Sequence, residues 1–138
     1  LAGRRLNDGM GEYVASEVIK TMIQKDIKIK DAKILVLGIT FKENCPDVRN
    51  TKVVDVISAL KGYSTNVSVY DSWANPEEVL HEYGIVSSKE VPKEKFDAVV
   101  LAVAHKQLGD LDFKNLLNPN GVVYDVKGIL GDRVDGRL

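Results

Sequence analysis

Three lysine and arginine side chains carry most of the chemical potential of this sequence. Lys42 and Arg49 lie in the stretch Leu37-Gly38-Ile39-Thr40-Phe41-Lys42-Glu43-Asn44-Cys45-Pro46-Asp47-Val48-Arg49-Asn50-Thr51, and Lys127 precedes Gly128 in Tyr124-Asp125-Val126-Lys127-Gly128. Cations beside glycines suit a phosphate, because the glycine lets a ligand approach the backbone and the charge meets it there. Across roughly 4 Å at a partly buried site, one such charge favours a phosphate by about 4 kcal/mol before desolvation is subtracted. The competing reading is solvated surface charge. The stretch after Leu37 holds the single glycine Gly38 and lacks the three-glycine dinucleotide fingerprint, so the usual mode of dinucleotide binding is not expected of it.

Three further residues invite a chemical role. Asp71 follows Val67-Ser68-Val69-Tyr70 and is either a ribose contact or a cap or turn residue. His105 follows a long apolar run and is either an acid, base or hydrogen-bond donor or a structural residue, with no acidic or nucleophilic partner identifiable from sequence. Cys45, flanked by Asn44 and Pro46, has no neighbouring histidine to generate a thiolate and reads as inert. One Cys and two His are too few for a zinc site, so neither a metal site nor a catalytic residue is expected within the chain.

The elements that must position these residues alternate. From Asn7 to about Ile29 the apolar residues Met10, Tyr13, Val14, Ile19, Met22, Ile23 and Ile27 recur at helical spacing. Lys33 to Gly38 is a continuous apolar run, as in a strand buried on both faces. A helix capped by Asn50 or Thr51 follows, carrying Val53, Val54, Val56, Ile57 and Leu60 and ending at Gly62. Asn66 to Asp71 is the next strand. Asn75-Pro76 caps a helix that ends at Gly84. Asp97 to Ala104 is a third strand, Asp112 to Leu117 a short helix, and Pro119-Asn120-Gly121 turns the chain into a last strand, Val122 to Asp125.

This alternation predicts an α/β, Rossmann-like, doubly wound and mostly parallel sheet preceded by a long helix. Ligands of such sheets bind beyond the carboxyl ends of the strands, which gathers Gly38 to Thr51, Asp71 to Pro76, Ala104 to Gln107 and Asp125 to Gly128 on one rim. The first helix precedes the alternation, and its apolar face has no obvious place in the sheet. It either packs on the domain or belongs to a neighbouring domain or subunit interface.

At 138 residues and 44% hydrophobic content the chain fits one globular unit. Lysine and arginine total 19 against 20 aspartate and glutamate, so nothing argues for nucleic acid or an anionic membrane surface. No apolar run approaches the roughly 20 residues of a membrane span, and the start Leu1-Ala2-Gly3-Arg4-Arg5 lacks a signal-peptide core. With a single cysteine, a reducing, cytoplasmic setting is expected, and the absence of an initiating methionine suggests a fragment.

At four places the sequence resembles the carboxy-terminal, UDP-binding domain of the UDP-glucose/GDP-mannose dehydrogenase family. These are Gly3 to Gly11 (Gly-Arg-Arg-Leu-Asn-Asp-Gly-Met-Gly), the Gly38 to Thr51 loop, Asp71-Ser72-Trp73-Ala74, and Ala104-His105 with Asp125-Val126-Lys127-Gly128. The last two look most like the branch acting on UDP-N-acetylhexosamines, which makes uronic acid precursors of surface polysaccharides.

The resemblance implies an enzyme of three parts: an amino-terminal NAD domain, a central helical region that forms a homodimer, and this domain over the UDP end of the substrate. Residues 1–30 would be the tail of the central region and residues 31–138 the UDP-binding domain. Such enzymes oxidise a sugar C6 hydroxyl to a carboxylate in two NAD-dependent steps through a thiohemiacetal on a cysteine. That cysteine lies upstream of the Asn7-Asp8 motif, and Cys45 does not match it. Phe41 and Lys42 match substrate-contacting residues, and Arg49 matches an arginine that reaches across to NAD. Lys127 stands where relatives often carry a UDP-contacting arginine. Some members carry an arginine on the central helix that reaches the partner subunit's substrate; here Arg4 and Arg5 precede Asn7, and neither is assigned that role. Two other classes fit the pattern without the resemblance: a stand-alone mononucleotide-sensing module, and an assembly domain whose working part is the first helix.

Overall fold

A computed structural model describes residues 6–138, so Arg4 and Arg5 lie outside the described residues. The strands are β1 (Lys33–Leu37), β2 (Asn66–Tyr70), β3 (Ser87–Ser88), β4 (Phe96–Leu101), β5 (Leu117–Asp125) and β6 (Gly136–Arg137). The helices are α1 (Met10–Gln24), α2 (Val53–Gly62), α3 (Pro76–Tyr83) and the single turn α4 (Phe113–Leu116). The sheet runs β3-β2-β1-β4-β5-β6, with every pairing parallel. This is the doubly wound, Rossmann-like order, and its switch point lies between β1 and β4.

The central strands β1 and β4 and the second half of β5 are buried on both faces, and their alternate residues feed separate cores. Ile34 and Val36 of β1, Ala98 and Val100 of β4, and Val122 and Tyr124 of β5 face α1, α2 and α3. Leu35, Leu37, Val99, Leu101 and Val123 face the opposite side, where Leu108, Phe113 and Leu116 cover them. Phe96 joins this second core because the register shifts between Phe96 and Ala98. The start of α3 is closed as expected, the Asn75 side chain accepting from Glu77 N–H with Pro76 in the first turn, while Asp112, expected as the first residue of its helix, caps α4 by accepting from Lys114 N–H. Ahead of α2 it is Thr51, not Asn50, whose hydroxyl receives an amide, that of Val53.

The first helix departs from expectation. It spans Met10–Gln24, shorter at both ends than Asn7 to Ile29, and its apolar face has a place after all. Val14, Ala15, Val18 and Met22 are fully buried against α2 and the β4–β6 half of the sheet. The topology supplies the reason. Because α4 takes the β4-to-β5 crossover to the other face, no crossover helix covers β4 to β6 on the face occupied by α2, and α1 fills the gap. Each fully buried Val or Met side chain there contributes about 1.5–3 kcal/mol. Gly11 allows the close crossing, since a Cβ on it would lie 2.6 Å from Asp55 Cβ. Tyr13 and Ile23, by contrast, are 54% and 57% exposed and point away from this contact.

Two edge strands, β3 and β6, were not expected, and β5 begins at Leu117, earlier than Val122. Two-residue strands carry no period for the sequence to display. Pro119 and Asn120 are exposed where β5 starts, which is why the stretch looks like a turn.

Candidate functional site

The carboxyl ends of β1, β2, β4 and β5 form the rim where a ligand of this fold would sit. At its centre Gly38 leaves β1 with φ +94°, and a Cβ there would lie 2.5 Å from Val103 Cβ. The missing side chain therefore accommodates the neighbouring β4 chain and opens no cradle for a dinucleotide. The loop after it is tied down by Asp71, at the end of β2. Oδ2 of Asp71 accepts from Ile39 N–H (2.7 Å) and Thr40 N–H (3.3 Å). Oδ1 accepts from Trp73 N–H (2.7 Å) and Ala74 N–H (3.1 Å).

His105, four residues beyond the end of β4, completes this centre. Its Nε2 lies 2.9 Å from Asp71 Oδ2 and 3.1 Å from Thr40 Oγ1, and its Nδ1 accepts from Asn44 N–H at 2.9 Å. Asp71 and His105 are 0% and 1% exposed. Burial pushes the Asp71 carboxyl up, but the hydrogen bond from His105 and the amides of Ile39 and Trp73 outweigh it and hold the pKa below the ordinary value. Trp73 stacks over the imidazole, ring centres 6.0 Å apart, and its Nε1 donates to Gln107 Oε1 at 3.2 Å.

Two sequence readings change here. His105 does have an acidic partner, 34 residues away in the chain. Asp71 is not free for a ribose, because both of its oxygens are already engaged inside the protein. Nor is the pair an acid–base dyad open to substrate, since both ring nitrogens are engaged and solvent does not reach them. It serves to fix the loop.

What the fixed loop presents is Phe41 and Lys42, both exposed, Phe41 at 49%. Phe41 N–H donates to Asp47 O (2.7 Å), and the Thr40 hydroxyl donates to Lys42 O (2.9 Å), so both side chains leave a held backbone. Arg49 lies further along. Its Nε and Nη2 donate to Asp47 Oδ1 and Oδ2 at 3.0 and 3.3 Å, and Glu78 and Glu82 of α3 lie close enough to favour its charge. On the other side of the switch point Asp125 is buried and accepts from Lys127, Gly128 and Leu130 N–H, shaping the turn that carries Lys127. β5 is two strands from β1, roughly 10 Å. Phe41 and Lys42 are thus adjacent, while Arg49 and Lys127 stand to either side of them. Among the described residues no cluster of His, Cys, Asp and Glu could hold a metal ion, and no helix is long and apolar enough to cross a membrane.

The sequence model of the UDP-glucose/GDP-mannose dehydrogenase family, UDP binding domain, matches residues 35–132, from β1 through the Asp125 turn. The chain belongs to this family. Among relatives of this dehydrogenase family domain, UDP-N-acetyl-D-glucosamine 6-dehydrogenase of Salmonella typhi is 46% identical over 142 aligned positions, covering 100% of this chain and 33% of the relative. The enzyme of the same name from Pseudomonas aeruginosa is also 46% identical, covering 100% of this chain and 34% of its own length. The chain therefore spans about a third of the curated relatives it matches. The fold recurs in UDP-D-ManNAc dehydrogenase from Pyrococcus horikoshii, with a TM-score of 0.76 at 18% identity over 95% of this chain and 31% of that one. It recurs again in NDP-N-acetyl-D-galactosaminuronic acid dehydrogenase from Methanosarcina mazei, with a TM-score of 0.77 at 21% identity over 89% of this chain and 26% of that one.

The sequence singled out Asp71 and His105 one by one but not their pairing, nor the parts that buried Thr40 and exposed Asn44 play in holding the ring. The one available signal was a polar residue directly after each of two apolar runs, Asp71 after Tyr70 and His105 after Ala104.

Proposed function

We propose that this chain is the nucleotide-recognising domain, residues 31–138, of an NAD-dependent UDP-N-acetylhexosamine 6-dehydrogenase that oxidises the sugar C6 hydroxyl to a carboxylate for polysaccharide synthesis. The observation that carries the reading is the exposed Phe41-Lys42 pair held on a rigid backbone at the switch point of a UDP-binding family domain. The names of the 46%-identical relatives support the N-acetylhexosamine. An aromatic face and an ammonium suit a nucleoside diphosphate: the ring packs on planar or apolar parts of the nucleotide and the ammonium meets phosphate. Lys127 contacts the UDP part from the β5 side. Arg49, prearranged by Asp47, reaches NAD.

NAD itself supplies the hydride acceptor, and the residues of this chain do not fit its main site, because the Gly38 turn is filled by Val103. The cysteine for the covalent step and the main NAD contacts belong to the rest of the enzyme, which works in the cytoplasm as a homodimer. Residues 1–30 form the tail of the central region, and the outer face of α1, with Tyr13 and Ile23, is the part of this chain that meets the second subunit.

Titration calorimetry of the 138-residue chain tests the reading. UDP and UDP-N-acetylglucosamine are expected to bind with similar affinity, NAD weakly or not at all, and the chain alone should reduce no NAD. Heat from NAD but none from UDP would refute it.

A further inference from the structure

The imidazole of His105 faces inward to Asp71 and outward to the loop, and the two directions do different work. Asn44 N–H donates to Nδ1, so Nδ1 is the lone-pair nitrogen and the proton sits on Nε2, facing Asp71 Oδ2 and Thr40 Oγ1. The Thr40 hydroxyl gives its own hydrogen to Lys42 O, leaving its lone pairs to the ring N–H. His105 thereby holds Phe41 to Glu43 from both ends: through Thr40 to the Lys42 carbonyl, and directly at the Asn44 amide. Asn44 itself turns the chain with φ 54°, a left-handed conformation that asparagine tolerates, and its side-chain oxygen accepts from Lys106 N–H at 3.0 Å, next to His105.

Resting on the nucleotide-binding reading above, we propose that His105 is a positioning residue for that site. Its Nδ1 lone pair fixes the turn at Asn44 and so sets where Phe41 and Lys42 meet the nucleotide. A histidine that merely satisfied the buried Asp71 would need only Nε2. The Nδ1 bond runs instead to a loop whose side chains are exposed, and the resulting rigidity favours binding because less loop entropy is lost when ligand arrives.

Two substitutions separate the roles. In His105→Asn the side-chain oxygen stands near the Nδ1 position and accepts from Asn44 while the link to Asp71 is lost. In His105→Gln the amide reaches Asp71 and the Asn44 amide loses its acceptor. Hydrogen exchange of the Asn44 amide, without ligand, is expected to be at least tenfold faster in His105→Gln than in the wild-type chain and near wild type in His105→Asn. The UDP dissociation constant is expected to rise about tenfold in His105→Gln and less than about threefold in His105→Asn. Loss of protection and affinity in step with the Asp71 link, greater in His105→Asn, would overturn the proposal.

The wild-type chain gives a test that needs no variant to fold. Nitrogen NMR of His105 at neutral pH should show an unprotonated Nδ1 and a protonated Nε2, and the reverse tautomer would overturn the proposal. A wild-type chain that binds no UDP overturns the nucleotide reading and the role of His105 with it. Equal UDP affinity in the wild type and His105→Gln overturns the role of His105 alone.

Discussion

Asp71 and His105 lie beyond the carboxyl ends of the two strands that flank β1, and their side chains meet at 2.9 Å with neither reached by solvent. A carboxylate in that setting links stability to pH. Its pKa in the fold is below the unfolded value near 4, so its contribution is fully present above about pH 4 and is lost as pH falls through the folded pKa. Asp71→Asn should destabilise the chain by about 1.5–3 kcal/mol at neutral pH, because the amide lacks the charged acceptor that His105 and the loop amides share. It should also flatten the loss of stability below pH 4. Thermal unfolding of both proteins from pH 7 to pH 3 measures this, and parallel curves would mean that other carboxylates govern the acid response.

Gly38 and Gly84 separate backbone strain from crowding. Both have positive φ, but a Cβ on Gly84 meets nothing within 4 Å, whereas one on Gly38 strikes Val103. Gly84→Ala should cost about 1–2 kcal/mol for the left-handed backbone alone. Gly38→Ala should cost roughly 1–3 kcal/mol more from overpacking and should weaken UDP binding, because it moves the loop. Equal denaturation midpoints for the two variants would show that β4 yields freely at Val103.

Lys42 and Arg49 should affect different ligands in the full-length enzyme. Lys42→Ala is expected to weaken the nucleotide sugar by about 1.5–3 kcal/mol, the worth of a charge-assisted hydrogen bond, with little change for NAD. Arg49→Ala should raise the Michaelis constant for NAD more than that for the sugar nucleotide. Steady-state kinetics with each substrate varied in turn decides, and equal effects on both ligands would count against the division.

Association through α1 would involve its exposed face, not its buried one. Changing Val14 would unfold the helix from its own sheet, since Val14 is fully buried. Tyr13→Glu with Ile23→Glu alters the exposed face and should leave the melting temperature nearly unchanged while shifting sedimentation of a self-associating chain toward monomer. Gly11→Ala, with Asp55 Cβ and backbone in its way, should do the opposite: lower stability by about 1–3 kcal/mol without touching the outer face. A wild-type chain that sediments as a monomer at every concentration would refute the contact.

Local chemistry was legible in the sequence wherever the cause was local. The apolar run at Ile34 to Leu37 announces a strand covered on both faces, Asn75-Pro76 and Gly84 mark the ends of α3, and the strand–helix alternation leads to the parallel sheet. The resemblance to the family needed only the residue patterns. What only tertiary structure decided are relations between distant residues. The pairing of Asp71 with His105 exists because β2 and β4 both lie beside β1, a fact of strand order with no trace in residue spacing. The covering of α1 follows from α4 taking the β4-to-β5 crossover to the opposite face and leaving bare sheet for Val14, Val18 and Met22 to fill. A helical period tells which side of a helix is apolar, but the surface that side meets is set by the handedness and order of crossovers elsewhere in the chain.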